Sequence, residues 1–378
     1  MSATVRPVAE RAFIEEATER LYSVVTEAYS YIFQQGSRDG HWQEARATAL
    51  AAMCLETLCK PDSPWREAVK KWISHVQLED GSWSEEIWDT AMCLLALMRF
   101  RISPKDASVQ KALAWIADKY SLNGRSNWHD EHWETSWALI AILRTGLCPA
   151  KVDVPAAVRW LASYQDRSGR IIAPHHTAYF LLICQNLGKI KFESHDDEQL
   201  AEEREKAIRY LLDVLGESKD GLWTGEVWSN GQILWILAEG NSFPTSDPEL
   251  LSKTLRWFEW IADKKAWCDV EDAASAILGM HSLLKRLEAA IDGHDPRRKT
   301  HIQEELQKRI SVPRLYLSHR LWQRENDGSW SFNIRSESIQ LIYRIGGALA
   351  ALGVAATLID FSINHWKWLK WLTSLLKR

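Results

Sequence analysis

Residues 80–97 read DGSWSEEIWDTAMCLLAL: a tight turn, Asp80-Gly81-Ser82-Trp83, then a short polar stretch, then an almost wholly apolar run. The phrase returns along the chain. It is DGHWQEARATALAAMCL at 39–55, GRSNWHDEHWETSWALIAIL at 124–143, SGRIIAPHHTAYFLLICQ at 168–185, DGLWTGEVWSNGQILWIL at 220–237 and DGSWSFNIRSESIQLIY at 327–343. A further copy, KAWCDVEDAASAILGM at 265–280, has lost the glycine but keeps Trp267. The turn glycines at 40, 81, 124, 169 and 221 are spaced by 41, 43, 45 and 52 residues, and the next, at 328, lies two steps on, across the degenerate copy. A period of this size means one supersecondary unit repeated.

Each unit is a helical hairpin. Before the turns, Val69, Trp72, Ile73 and Val76 keep helical spacing with charges between them, as do Ile208, Leu211, Leu212 and Leu215, and Leu251, Leu255, Phe258 and Ile261. After the turns the helices are apolar nearly all round, as at 90–98 and 177–187. A helix with one wet face lies outside and a helix with none lies inside. A Gly-ended turn makes the two antiparallel neighbours. The expected fold is all-α, a toroid of six or seven helical pairs, (α/α)6–7. Periodicity alone does not separate a closed ring from an open solenoid, but inner helices that show no polar face suit the ring. Six pairs, spanning 8–287, are followed by a divergent seventh repeat at 288–340 that either extends the ring or leaves it, and by a tail at 341–378.

Composition sets further bounds. Of 378 residues 46% are apolar, enough for a large core, and the net charge of −4 with no basic stripe excludes a nucleic-acid partner. Six cysteines lie mostly in apolar runs without a CxxC pair, which fits reduced core residues of a cytoplasmic protein. The N-terminus lacks an apolar signal core. In the tail, 345–359 is uncharged over 15 residues, short of the ~20 that span a bilayer, and the following NHWKWLKWLTSLLKR is aromatic and basic. Such a tail suits a buried last helix or a peripheral, monotopic membrane anchor.

The Asp-Gly-x-Trp turns and the helix starts WDTAMCLLAL and WETSWALIAIL resemble the prenyltransferase and squalene-cyclase repeat family, over roughly residues 29–287 and 315–352. That resemblance implies a terpenoid-cyclase fold, which serves cyclases, protein prenyltransferase subunits and non-catalytic domains alike. The prenyltransferase branch implies a zinc held by Asp, Cys and His; here Asp89 has Cys93 four residues on, and His176 has no Asp-x-Cys companion. No metal or other cofactor is therefore expected. The class II cyclase branch implies an Asp-x-Asp-Asp-Thr-Ala acid motif. DVEDAA at 269–274 is similar, with Glu271 at the middle acid and Ala273 where Thr is expected. Glu271 is then the candidate proton donor, with Asp269 and Asp272 as neighbours that tune it.

Aligned copies sharpen these candidates. Asp272 shares a column with Asp89, Glu134, His176 and Ser229, and Asp269 shares one with Glu86, Glu131 and Glu226. Acids that recur in this way also read as helix-start stabilisers. Glu271 stands in a column with Trp88, Trp133, His175 and Trp228. In a closed ring these residues surround one mouth, where Trp88, Trp133 and Trp228, with His176, Asp89 and Glu134, would contact substrate. Aromatic faces stabilise carbocations, and the acidic rim disfavours a diphosphate, so the expected ligand is a hydrophobic isoprenoid-type polyene. Two other readings stay open: a sugar-active (α/α) toroid with paired acids, and a non-catalytic toroid that binds a lipid or a protein partner. HDEHWE at 129–134 has zinc-compatible types but no supporting ligand in sequence.

Overall fold

The computed structural model describes residues 8–35, 41–42, 44–58, 64–121, 126–187, 197–264, 269–290, 322–324 and 330–332. The chain divides into two compact units, Met1–Ile310 and Ser311–Arg378. In the second, the described residues form an antiparallel pair, β3 (Trp322–Arg324) with β4 (Trp330–Phe332). The turns at Gly40, Gly124, Trp267 and Gly328 and the tail at 341–378 lie outside the described residues. No helix among the described residues is long and apolar enough to cross a membrane.

The first unit is an all-α ring. Outer helices α1 (Val8–Gln35), α3 (Pro64–His75), α5 (Ala107–Asp118), α7 (Val154–Ala162), α9 (Asp197–Glu217) and α11 (Pro248–Lys264) alternate with inner helices α2 (Ala45–Leu58), α4 (Ile87–Arg99), α6 (His132–Thr145), α8 (Pro174–Leu187), α10 (Val227–Glu239) and α12 (Val270–Ala290). Each inner helix packs on the next, and α12 packs on α2, so the toroid closes. Outer helix α1 packs on α12 and α11 at the same seam. The apolar stripes of the outer helices are buried as their periodicity requires: Val69 and Ile73, Leu211 and Leu215, Leu251, Leu255, Phe258 and Ile261.

The tryptophan and the glycine of the turn sequence each have a physical cause. The turn tryptophan sends its indole N–H back to a carbonyl of the preceding outer helix: Trp42 to Ile32 (2.8 Å), Trp83 to Ile73 (2.5 Å), Trp128 to Ile116 (2.7 Å) and Trp223 to Leu211 (2.7 Å). Three of these acceptors lie in a last helical turn, where carbonyls lack intrahelical partners. The backbone N–H of the same tryptophan donates to a buried side chain in the following inner helix. The acceptors are Thr48 for Trp42 (2.8 Å), Thr90 for Trp83 (3.3 Å), Thr135 for Trp128 (3.0 Å) and Asn230 for Trp223 (2.8 Å). Ile171, in the tryptophan's place, uses Thr177 in the same way (2.9 Å). Among the described residues the turn glycines at 81, 169 and 221 dock their hairpins on the neighbouring one. Gly81 and Gly169 have φ of +97° and +96°, and a Cβ there would lie 2.5 Å from the Lys111 carbonyl oxygen and 2.2 Å from that of Lys206, each on the next outer helix in the chain. Gln77 and Gln165 span the same joints, donating to Gly81 and Ser108 and to Gly169 and Glu203.

Short ladders flank some turns, a feature that the all-helical expectation lacks. β1 (Tyr120–Ser121) pairs with β2 (Asn127–Trp128), and Gln165 bridges to Ile171. The pair β3–β4 has the same form, with its turn tryptophan, Trp330, in the returning strand.

Candidate functional site

Because the inner helices run the same way, their N-termini share one end of the ring. The first copy, like those at Ile171 and Trp267, is a residue shorter between its turn and the threonine column than the other three, and aligning on Thr48 brings Arg46 into the column of Glu271. The column is then Arg46, Trp88, Trp133, His175, Trp228 and Glu271, one residue from each inner helix in ring order. Arg46 and Glu271 meet at the seam where α2 packs on α12.

These side chains form one connected layer. Arg46 Nε donates to Glu271 Oε1 at 2.7 Å and its Nη1 to Asp89 Oδ1 at 3.0 Å. The guanidinium lies 4.3 Å from the centroid of the Trp88 ring, a cation–π contact. Trp88 touches Trp133 edge-on at 5.7 Å and Trp228 at 6.1 Å, and His175 lies 5.2 Å from Trp228. Since α4 and α10 stand opposite each other in a six-helix ring, the Trp88–Trp228 contact crosses the axis. One helical turn deeper is a second layer, Leu50, Met92, Trp137, Tyr179, Gln232 and Ser275, all buried. Tyr179 Oη donates to Gln232 Oε1 at 2.6 Å, and Gln232 Nε2 donates to Ser275 Oγ at 3.4 Å. Trp88 stacks over Trp137 at 6.4 Å and joins the layers.

The acids take separate roles. Glu271 is largely buried; burial raises its pKa above the ordinary glutamate value, against the opposing pull of Arg46 and with help from Asp269. Asp269 caps α12 by accepting from the Asp272 N–H at 2.9 Å. Asp272 reaches across to the neighbouring helix and accepts from the Trp228 N–H at 3.0 Å, in the first turn of α10. Glu86, Glu131 and Glu226 hold the N-cap positions of α4, α6 and α10 yet make no side-chain cap bond. The capping expected of that column is therefore met by Asp269 and, for α10, by Asp272 from next door. Glu134 is buried with His129 Nδ1 2.6 Å from its Oε2; burial raises its pKa and His129 opposes this. The HDEHWE stretch thus divides, with His129 on Glu134 and Asp130 held by Asn127 at 2.9 Å. His132 instead stacks on Trp160 at 5.0 Å.

The missing threonine stands in a scaffold column. Ala273 occupies the column of Thr48, Thr90, Thr135, Thr177 and Asn230, whose common task is to receive a turn N–H. Its absence from DVEDAA falls at the copy whose turn sequence has lost its glycine.

One solved structure agrees on the fold. A variant of the type II terpene cyclase MstE from Scytonema, in complex with its substrate geranylgeranyl dihydroxybenzoate, superposes with a TM-score of 0.50 at 12% identity, covering 72% of this chain and 99% of that one. The apo form of the Scytonema enzyme gives 0.49 at 14% identity over 71% and 98% of the two chains. A protein from Actinoplanes gives 0.48 at 13% identity over 69% and 99%. No family model and no curated protein sequence matches the chain. The first superposition makes this a terpenoid-cyclase-like all-α toroid.

Proposed function

We propose that the chain is a terpenoid-cyclase-like protein that holds an uncharged, isoprenoid-type polyene against the aromatic layer of its mouth, with Glu271 as the acid that starts cyclisation. The observation that carries this reading is the layer itself: Trp88 in contact with both Trp133 and Trp228, with a largely buried glutamic acid one helix away from Trp228 and one residue, Arg46, away from Trp88. Burial favours the protonated form of Glu271, which is the form that donates. The acid proton goes to the terminal alkene carbon, the alkene π pair forms the new C–H bond, and the adjacent carbon becomes a cation. The next double bond attacks it, forming a C–C bond and passing the charge along, where indole faces stabilise it. Loss of a proton from the last cation leaves a ring alkene, and the Glu271 carboxylate is reprotonated from solvent. Asp269 and Asp272 support the acid, Asp269 through its charge and Asp272 through the α10–α12 joint.

A second reading, a toroid that binds a lipid or protein partner without chemistry, has its own support. Trp88 and Trp228 meet across the axis, and Arg46 engages Glu271 at 2.7 Å. A proton donor must leave that pair before it can act.

The two readings separate in one experiment. The purified protein is incubated with linear polyenes, extracted and examined by mass spectrometry, beside Glu271→Gln and Arg46→Gln. The cyclase reading expects ring product from the native protein, none from Glu271→Gln, and in Arg46→Gln a loss of activity with rising pH that sets in at higher pH, because the cation that lowers the Glu271 pKa is gone. Bound but unchanged polyene in all three proteins sinks the chemistry and leaves the binding toroid.

A further inference from the structure

Five buried side-chain polar atoms left without a hydrogen-bond partner gather at the mouth; others among the described residues, such as Trp235 Nε1 and Arg204 Nε, lie elsewhere. Nε2 of His132 and Nδ1 of both His175 and His176 are buried with no hydrogen-bond partner, as are Trp88 Nε1 and Ser229 Oγ. All five belong to the first turns of the consecutive inner helices α4, α6, α8 and α10. An unmet buried polar atom costs ~1–3 kcal/mol, and native proteins hold few of them. The three histidines form one patch: His175 and His176 lie 4.3 Å apart by ring centroid, and His132 and His176 lie 6.4 Å apart with rings 19° from parallel. Trp160 stacks on His132, and Tyr164, 43% exposed, meets it edge-on at 4.0 Å. Tyr164 is thus the outer cover of the patch. On the other side, His175 touches Trp228, so the patch adjoins the aromatic layer.

Burial lowers the pKa of all three histidines, and His176 falls to about 4 with further lowering by its two neighbours; only Glu131, beside His132, pulls the other way. Neutral imidazole presents one N–H and one bare nitrogen. Such a pair of rings suits a group that donates and accepts at once, which a hydroxyl does. It offers a diphosphate no charge.

We propose that His132, His175 and His176 form a subsite for the uncharged, hydroxyl-bearing head group of the ligand, whose hydrocarbon lies along Trp228 and Trp88. The subsite rests on the isoprenoid-ligand reading above and narrows it to isoprenoid alcohols or phenols. Entry moves the Tyr164 ring aside.

The test measures binding to the full-length protein, by tryptophan fluorescence, of four ligands of equal chain length: a linear isoprenoid hydrocarbon, its alcohol, the alcohol's methyl ether and its diphosphate. The alcohol is expected to bind about tenfold more tightly than the hydrocarbon, with the ether between them and the diphosphate weakest. In His132→Phe and His176→Phe the ratio of alcohol to hydrocarbon affinity collapses toward one. Should either variant fail to fold, the ranking of the four ligands on the native protein still decides. Equal binding of alcohol and hydrocarbon overturns the subsite and leaves the ligand reading standing. Preference for the diphosphate overturns the neutral head, and stoichiometric zinc binding lost in His176→Phe replaces the subsite with a metal site. Binding of none of the four removes the ligand reading and the subsite together.

Discussion

Two columns of residues, two positions apart on the same six helices, have had different histories. One holds Thr48, Thr90, Thr135, Thr177, Asn230 and Ala273; the other holds Arg46, Trp88, Trp133, His175, Trp228 and Glu271. The first is near-constant because each member faces an identical task, receiving the N–H of its own turn. It changes to alanine only at the copy whose turn has changed. The second shares a place in the ring but no common bond, and its members differ in charge, size and polarity. Arginine and glutamate occur where first and last helix meet, and aromatic rings fill the rest. A repeat position held by the fold stays uniform, and a position released from it is where a site can be built. One residue beyond the threonine column lies a third, Ala49, Ala91, Ser136, Ala178, Gly231 and Ala274, small throughout, and at Gly231 two inner helices, α10 and α12, approach closely.

The comparison breaks first at that small column. A Cβ on Gly231 would lie 2.4 Å from the Ser275 carbonyl carbon and 2.5 Å from the Ala276 nitrogen, both backbone atoms of α12. Helix propensity alone makes Gly→Ala favourable by ~1 kcal/mol. The contact reverses the sign, and Gly231→Ala should lose about 3–5 kcal/mol in urea unfolding. A gain in stability would mean that α10 and α12 do not pack backbone to backbone. Next comes the threonine column: Thr135→Val keeps the shape and removes the acceptor, leaving the buried Trp128 N–H unmet. A loss of about 1–3 kcal/mol is expected. An unchanged midpoint would show that the column's uniformity has another cause.

These two columns were readable in the sequence for the reason that makes them uniform. Each recurs in six copies, so the hairpin and the inner and outer helices followed from repetition, whereas closure of the ring is shown by the packing of α12 on α2. Single events were not readable. Arg46 was hidden by one residue of shortening in the first copy, and only alignment on Thr48, rather than on Trp42, exposes it. The Ala273 departure looked like damage to an acid motif until the bonds of its column gave it a structural meaning. The histidine patch depends on Trp160 and Tyr164 covering His132 from the end of α7 and the turn after it, a contact with no periodic signature. Asp272 reaching to the Trp228 N–H is likewise a bond between repeats, which spacing within one repeat does not contain.

The mouth column's neighbour gives a smaller, pH-dependent effect. His176 is held neutral with its pKa at about 4, below the ~6.5 of an unfolded histidine. Between those values the unfolded chain binds more protons, so stability present above pH ~6.5 is lost as pH falls toward 4. His132 and His175 act in the same direction. Glu271, with its pKa raised, acts oppositely over the range just above the ordinary glutamate value, and recovers part of the loss. A net decline of about 1–3 kcal/mol is expected, and His176→Gln should flatten it. A flat native profile over that window would remove the buried neutral histidines.

The smallest effect separates two acids that the sequence aligned in one column. Asp269 accepts the Asp272 N–H and caps α12, whereas Glu86, at the N-cap of α4, makes no side-chain cap bond. Asp269→Ala should cost about 1 kcal/mol, and Glu86→Ala should stay within about 0.5 kcal/mol, as surface changes do. Both residues place a negative charge at a positive helix end, so a dipole account predicts similar losses, each reduced by salt. A bonding account predicts that only the Asp269 loss is substantial and that it survives in high salt. Thermal melts of the two variants at low and high ionic strength distinguish the accounts. Equal, salt-sensitive losses would return the whole column to electrostatics and leave Asp269 no special hold on the helix that carries Glu271.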